Sequence, residues 1–118
     1  MKESIIQEKS YKFAIRIVKL YLHLKETKHE TTLSKQILRC GTSIGANVEE
    51  ASGAQSKRDF THKISISYKE AKETRYWLRL LNDTGFIDKK MFDSLLSDCE
   101  ELLKIMGSIQ ITLKNKEK

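Results

Sequence analysis

The stretch from Phe92 to Leu113, FDSLLSDCEELLKIMGSIQITL, carries the clearest structural pattern in this sequence of 118 residues. Apolar side chains and one cysteine recur there at alternating steps of three and four residues, at Phe92, Leu95, Cys99, Leu102, Met106, Ile109 and Leu113. A mean step of 3.5 residues is typical of a helix that packs against other helices at a shallow, left-handed crossing. Asp88 precedes the stretch in the position of an N-cap. We therefore predict a helix that begins at Asp88.

The rest of the chain repeats this organisation, with polar connections between the apolar periods. Ser56-x-x-Asp59 has the form of a helix start, and Gly85 has the form of a helix stop. A threonine cap precedes the second helix. The predicted helices cover residues 4–27, 33–55, 57–83 and 88–114. Because short connections make successive helices antiparallel neighbours, the sequence predicts an all-α fold, an antiparallel up-down-up-down four-helix bundle in one domain, residues 1–118.

The composition agrees with a helical globular protein. Proline is absent, where average usage would give about six residues. The hydrophobic share is 39% and the charged share 32%. No apolar run approaches the length of about 18 residues that a membrane span needs. Two cysteines are too few for a disulfide framework or a cysteine-only zinc site. We expect a reduced, cytoplasmic protein that has no secretory signal and no membrane partner.

The formal net charge is +6, and its distribution indicates a class of partner. The surplus lies in residues 1–30 and 56–85, since each segment has seven Lys/Arg against four acids. Basic side chains there recur at helical spacing, and they are the candidate nucleic-acid-binding residues: Lys9, Lys12, Arg16, Lys19, Lys69, Lys72, Arg75 and Arg79. Stripes of this kind attract phosphates. A solvated face that serves only solubility is the alternative.

The first helix is unusually apolar around its circumference. Ten of the fourteen residues from Tyr11 to Leu24 are apolar, which exceeds the third to half expected for a helix on the outside of a small bundle. We expect Phe13, Ile15, Leu22 and their neighbours to contact another subunit. The alternative is a helix sunk between its neighbours, with the lysine and arginine stems extended along apolar surface.

A polar layer is predicted between the second and third helices. Asn47 falls on an apolar seam, where a polar side chain usually fixes register. Counting from the turn places it level with residues 64–68 of the third helix, whose polar side chains we expect to satisfy its amide, and places Arg39 level with Glu73. The predicted structural polar layer comprises Arg39, Asn47, Glu50, Glu70 and Glu73. A catalytic site built on these carboxylates is the alternative.

Two glycines and two cysteines fall on the same helices. Gly41 and Gly45 lie one turn apart, and we expect them to allow close approach of a neighbouring backbone. Cys40 and Cys99 map to one level of the bundle, where buried thiols are expected. The sequence holds a single Glu-x-x-His unit, and a di-iron bundle site requires two. We predict no metal, no cofactor, no catalytic residue and no small-molecule substrate.

The central motif resembles the signature of a bacterial four-helix-bundle family, the 23S rRNA intervening-sequence proteins. The resemblance is carried by LSKQILRCGTSIGANVEEA at residues 33–51, AQSKRDF at 54–60, and KEAKETRYWLRLL at 69–81 followed by Gly85. It covers nearly the whole chain. Members are similar in fold to the accessory variability protein of diversity-generating retroelements, a ring-shaped basic partner of a reverse transcriptase.

This resemblance implies a homopentameric ring with no established enzymatic activity and no agreed catalytic residues. The expected function is therefore a non-enzymatic oligomer that binds RNA or DNA, or a nucleic-acid-handling protein, through basic stripes on helices one and three. The binding would be largely independent of base sequence. The alternative is a protein–protein interaction or scaffold module that has no role in nucleic-acid binding.

Overall fold

The computed structural model describes residues 2–116, with side chains from residue 5 onward. Within that part the protein consists of four α-helices without any strand. The helices are α1 (Lys2–Glu26), α2 (Thr32–Ser52), α3 (Lys57–Asp83) and α4 (Lys89–Lys116). The all-α prediction is confirmed. The predicted bounds of the third helix agree with those of α3, and the bounds of the other three helices differ by one to three residues at each end.

Two predicted helix starts and one predicted stop have the expected chemistry. The Ser56 side chain accepts a hydrogen bond of 3.0 Å from the backbone N–H of Asp59. The Asp88 carboxylate accepts one of 2.8 Å from the N–H of Met91. Gly85 has a φ of 82°, a left-handed conformation that glycine adopts without steric cost. The two hydrogen bonds satisfy amide groups at helix starts, and Gly85 follows a helix end. All three lie where the sequence pattern placed them.

The start of α2 is built differently from the prediction. Thr31 occupies the N-cap position, but its side chain makes no capping hydrogen bond. The Glu30 carboxylate instead accepts from the N–H groups of Thr32, Leu33 and Ser34 at 3.1, 2.8 and 2.8 Å. One acidic side chain therefore satisfies three of the amide groups that a helix start leaves unpaired.

The end of α2 comes earlier than expected. The helix ends at Ser52, three residues before the predicted end at Gln55. The N–H of Gly53 donates to Glu50 O at 3.2 Å, and that of Ala54 donates to Ala51 O at 3.1 Å. These tighter i to i−3 bonds close the last turn, because glycine has low helix propensity and ends the regular ladder.

The four helices enclose one apolar core. α1 packs against α2 and α4, and α3 packs against the same two helices, which is a four-helix bundle. The seam residues predicted on α4 are mostly buried. Residues of α3 and α2 at the same spacing are also buried, namely Ile64, Ala71, Leu78 and Leu81 on α3 and Ile37, Ile44 and Ala51 on α2. Phe13 is 2% exposed and belongs to this core, so the expectation that it contacts another subunit was wrong.

The two glycines of α2 lie where α1 comes closest. A Cβ atom on Gly41 would lie 2.8 Å from Ile17 Cγ1, and one on Gly45 would lie 3.3 Å from the backbone oxygen of Ser10. Both distances are shorter than ordinary van der Waals contact between such atoms. The expected close approach of a neighbouring helix is confirmed, and it explains why glycine is tolerated inside α2 despite its low helix propensity.

Candidate nucleic-acid interface

The cations predicted on α1 are largely balanced by carboxylates. Lys12 Nζ lies 2.8 Å from Glu8 Oε1, one turn earlier on the same helix. Lys9 Nζ lies 3.3 Å from Glu101 Oε1, and Arg16 Nη1 lies 2.6 Å from Asp98 Oδ2, both on α4. Of the predicted α1 residues, Lys19 alone forms no ion pair with the part of the chain that the structure describes. The stripe therefore carries less free positive charge than the sequence indicated.

The ion pair on the surface of α1 has the electrostatic effect expected of a close contact. The hydrogen bond from Lys12 lowers the pKa of the Glu8 carboxyl below its ordinary value, and the same contact raises the pKa of the Lys12 ammonium. Both groups remain charged at neutral pH. They therefore neutralise each other where an approaching phosphate would need an unpaired cation.

The cations predicted on α3 form one patch with two tyrosines. Its members are one helical turn apart and share a face of the helix. They are Tyr68, Lys69, Lys72, Arg75, Tyr76 and Arg79. The Lys72 ammonium lies 5.2 Å from the centre of the Tyr68 ring, which is a cation–π contact. Tyr76 is 54% exposed. We call this set the α3 patch.

The α3 patch has one ionic contact with an acid among the described residues. Arg75 Nη1 lies 3.9 Å from Glu100 Oε2 of α4, at the outer limit of an ion pair. Lys69, Lys72 and Arg79 make none within residues 5–116. The patch therefore presents an excess of positive charge beside its two tyrosine rings.

The two glutamates that interrupt this basic segment in sequence lie against α2. Arg39 donates to Glu70 Oε2 at 3.2 Å and also to Glu73. The indole N–H of Trp77 donates to Glu73 Oε2 at 3.0 Å. The predicted association of Arg39 with Glu73 is present. Because this network directs both acids at α2, neither forms an ion pair with a cation of the α3 patch.

Asn47 has a different partner from the one expected, and Glu50, for which no partner was predicted, pairs with α3. The Asn47 amide donates to Ser43 O and Ser43 Oγ, both at 2.9 Å, and so remains within its own helix. The expectation that α3 satisfies Asn47 was wrong, since Ser67 donates instead to Ile44 O at 2.8 Å. Glu50 lies 2.9 Å from Lys63, and this contact raises the pKa of the lysine. The layer thus joins α2 to α3 at two separate levels.

Both cysteines are buried at the level predicted for them. Thr74 Oγ1 donates to Cys40 Sγ at 3.2 Å, and Cys99 Sγ donates to Ala71 O at 3.3 Å. Burial raises the pKa of Cys40 to about 11 and that of Cys99 to about 12, because the thiolate is poorly solvated there. The thiols are therefore held in the protonated form, which is a poor nucleophile and a poor metal ligand.

Three side chains that the sequence analysis did not select lie in line with the α3 patch. Arg58, His62 and Ser65 precede Lys69 at steps of four, three and four residues. Arg58 and His62 are exposed, and they line a shallow groove of about 600 Å³ together with Lys57, Thr61 and Ser65. The same period that selected Lys69 and Lys72 would have reached these residues if it had been extended toward the start of the helix.

The described part of the chain has neither a metal-ligating cluster nor a membrane-spanning helix. Among residues 5–116, no three His, Cys, Asp or Glu side chains are grouped closely enough to hold a metal ion. None of the helices, over the residues described, has the length and apolarity needed to cross a membrane.

Comparisons with known proteins place this architecture among its relatives. A family model described as 23S rRNA-intervening sequence protein matches residues 2–108. No curated protein matches. A crystal structure of a protein of unknown function from the S23 ribosomal protein family of Bacteroides thetaiotaomicron is 48% identical, with a TM-score of 0.92. The match covers 93% of this chain and 98% of that one. On the family match and this structural likeness, the chain belongs to the 23S rRNA-intervening sequence protein family.

Proposed function

We propose that this protein is a non-enzymatic, cytoplasmic module that binds the phosphate backbone of nucleic acid through the α3 patch. The observation that carries the proposal is the sorting of charge on α3. The cations of the α3 patch lie on one face, while Glu70 and Glu73 are held by Arg39 against α2. An unbalanced row of Lys and Arg favours phosphates over other anions of lower charge density and releases counterions on binding.

The same sorting argues against a catalytic role for the two glutamates. A general base must be placed within hydrogen-bond reach of a proton on the substrate. Both carboxylates already accept hydrogen bonds from Arg39, and Glu73 also accepts one from Trp77. The network is suited to joining two helices, which supports the non-enzymatic proposal.

Salt dependence of binding tests the proposal. Four phosphate contacts predict a slope of log K against log salt of about −2.8 for a single strand and about −3.6 for a duplex. The single-strand slope corresponds to a loss of roughly 50-fold between ~50 and ~200 mM salt. Measurement by fluorescence anisotropy at several salt concentrations gives the slope directly. Affinity that does not respond to salt contradicts the proposal.

A matched pair of triple variants distinguishes binding by the α3 patch from binding that depends only on net charge. One variant carries Lys69→Gln, Lys72→Gln and Arg79→Gln, all in the α3 patch. The control carries the corresponding glutamine substitutions at Lys9, Lys12 and Lys89, which are exposed or half-buried and already paired with carboxylates. Both remove the same formal charge. We expect the first to reduce the single-strand slope to about −0.7 and the control to leave it near about −2.8. Equal losses would show that net charge alone is responsible.

Self-assembly is a second proposal, and a separate observation favours it. Tyr11, Ile15, Val18 and Leu22 recur at steps of four, three and four residues on α1 and are between 41% and 66% exposed. Repeated exposed apolar side chains on one helix face are typical of an interaction surface. With the resemblance described above, they support a ring-shaped homopentamer. Each subunit would be an antiparallel up-down-up-down bundle. The α1–α4 ion pairs support that topology, because the residue number rises along α1 from Lys9 to Arg16 as it falls along α4 from Glu101 to Asp98.

Mass in solution tests the assembly and its location. We expect a particle about five times the 13.7 kDa chain by sedimentation. Leu22→Glu should reduce the mass to that of one chain, because the charge would be buried at the interface. Ile5→Glu is the control, since Ile5 is 44% exposed but lies outside the Tyr11–Leu22 stripe. A native protein that sediments as one chain would exclude the ring and favour a monomeric interaction module.

A further inference from the structure

The α3 patch is the second half of a longer ridge on the same helix. Seven positions from Arg58 to Arg79 recur at alternating steps of four and three residues, and none is acidic. They are Arg58, His62, Ser65, Lys69, Lys72, Tyr76 and Arg79. At about 1.5 Å of rise per residue the ridge is roughly 32 Å long. This is the length of about nine nucleotides of a stacked strand.

The N-terminal half of the ridge borders a groove that has unpaired polar groups. Its volume is about 600 Å³, and its lining residues are Lys57, Arg58, Thr61, His62 and Ser65, without a carboxylate. The Ser65 hydroxyl makes no hydrogen bond with residues 5–116. An unstacked base next to a phosphate on Arg58 can therefore enter this groove and hydrogen-bond Ser65.

The C-terminal half of the ridge contains an exposed aromatic ring held in place. Tyr76 is 54% exposed, and the edge contact with Trp77 has a centroid distance of 5.0 Å and an interplanar angle of 76°. Trp77 is itself fixed by its hydrogen bond to Glu73. The tyrosine ring thus packs against a neighbour that is itself held by Glu73. Bases stack on such rings without strong preference for sequence.

We infer that the nucleic acid bound along this ridge is single-stranded, an inference that rests on the proposed function. The phosphates follow Arg58, Lys69, Lys72 and Arg79, one base stacks on Tyr76, and another enters the groove beside Ser65. In a duplex the bases are stacked inside the helix, so neither Tyr76 nor the groove has a base to contact. The ridge would then offer only phosphate contacts, which both forms share.

A comparison of single strand with duplex tests the inference. The probes are a fluorescein-labelled oligouridylate of about 12 nucleotides, which lacks internal pairing, and a mixed-sequence RNA duplex of about the same length. The variants are Tyr76→Ala and Tyr76→Phe, with helix content checked by circular dichroism. Trp77 is the single tryptophan, so its fluorescence reports a base that stacks beside it without any label.

We expect the single strand to bind at least about ten-fold more tightly than the duplex at the same salt. Tyr76→Ala should weaken single-strand binding roughly 5- to 150-fold, as expected for the loss of one stacked base, and change duplex binding less than about two-fold. Tyr76→Phe should retain single-strand binding, because phenylalanine keeps the ring face. Trp77 fluorescence should change when oligouridylate is added.

Three results would overturn the inference, and they distinguish it from the proposed function. If the duplex binds equally well or better, and glutamine at Lys69, Lys72 and Arg79 abolishes that binding, the α3 patch is an interface but the single-strand inference is wrong. If Tyr76→Ala weakens both probes equally, the ring does not stack a base and the inference is again wrong. If neither probe binds at about 50 mM salt, the proposed function and the inference both fail.

Discussion

Replacement of Gly41 by alanine is a sharp test of how α1 and α2 pack. The new Cβ atom would lie 2.8 Å from Ile17 Cγ1 and 2.9 Å from Ile17 Cγ2. Ile17 is fully buried and β-branched, so its χ1 angle is restricted within a helix. The two helices must therefore move apart, or Ile17 must leave its preferred rotamer. Either change disturbs a close-packed core.

Two opposing contributions determine how much Gly41→Ala changes the free energy of unfolding. Alanine gains about 1 kcal/mol over glycine in helix propensity, whereas one extra methyl in a packed core costs about 1–3 kcal/mol. We expect Gly41→Ala to lower the free energy of unfolding by about 1 kcal/mol, which is roughly 4 °C in Tm for a domain of this size. Gly107→Ala is the matched control, because its Cβ would lie 3.8 Å from Tyr68 Cε2, an ordinary contact. It should stabilise the protein by up to about 1 kcal/mol.

Urea unfolding followed by circular dichroism measures both variants, with protein concentration held constant so that any assembly contributes equally. The same substitution in an Ile17→Ala background completes a double-mutant cycle. Without the isoleucine side chain the steric conflict is absent, so Gly41→Ala should then stabilise by up to about 1 kcal/mol. If Gly41→Ala destabilises both backgrounds equally, or stabilises the native protein as much as Gly107→Ala does, the packing argument is refuted.

Three other predictions follow from the described contacts. Glu30 makes the capping hydrogen bonds of α2, whereas the Thr31 side chain makes none. Glu30→Ala should therefore lower the free energy of unfolding by about 1 to about 2 kcal/mol and Thr31→Ala should leave it unchanged, as urea midpoints will show. The Arg39 side chain is 53% exposed. Because solvent screens its ion pairs, Arg39→Gln should cost only about 0.5–1 kcal/mol in the same measurement. The pKa values of Cys40 and Cys99, raised to about 11 and about 12, keep the folded thiols protonated, whereas unfolded thiols ionise near about pH 8.5. The unfolded state therefore binds fewer protons, and stability should fall as pH rises from about 8.5 toward about 11; replacement of both cysteines by alanine should reduce that fall, and native thiols should resist alkylation near about pH 8.

Local chemistry explains which parts of the fold the sequence could predict. Ser56, Gly85 and Asp88 act within three residues of their own position, and a short pattern contains all of that information. The apolar seams are similarly local, because burial of one face imposes the period of the helix. The cap of α2 is also local, but the adjacent residues Glu30 and Thr31 compete for it. The longer Glu30 side chain reaches the amide groups that the Thr31 side chain does not reach.

Pairing between helices was harder to predict. Counting residues from the turn predicted the contact of Arg39 with Glu73 correctly, because both side chains are long enough to tolerate an error of half a helical turn. It misassigned Asn47, whose short amide found Ser43 one turn away in its own helix. Short polar side chains satisfy themselves locally when they can, and periodicity contains no signal that distinguishes this from a contact across the bundle.

The net charge of each sequence segment predicts how many cations are in surplus on α1 and α3. It does not predict on which helix surface those cations remain unpaired. The segments that contain α1 and α3 each have three more cations than acids. α4 packs against both helices, and it directs Asp98 and Glu101 at α1, whereas its contact with an α3 cation is the longer one from Glu100. Glu70 and Glu73 of α3 are instead paired with Arg39 of α2. Because the cyclic order of helices decides which acid meets which cation, the free positive charge concentrates on α3. The proposed phosphate-binding surface would therefore depend on Arg39, although Arg39 would not need to touch the ligand.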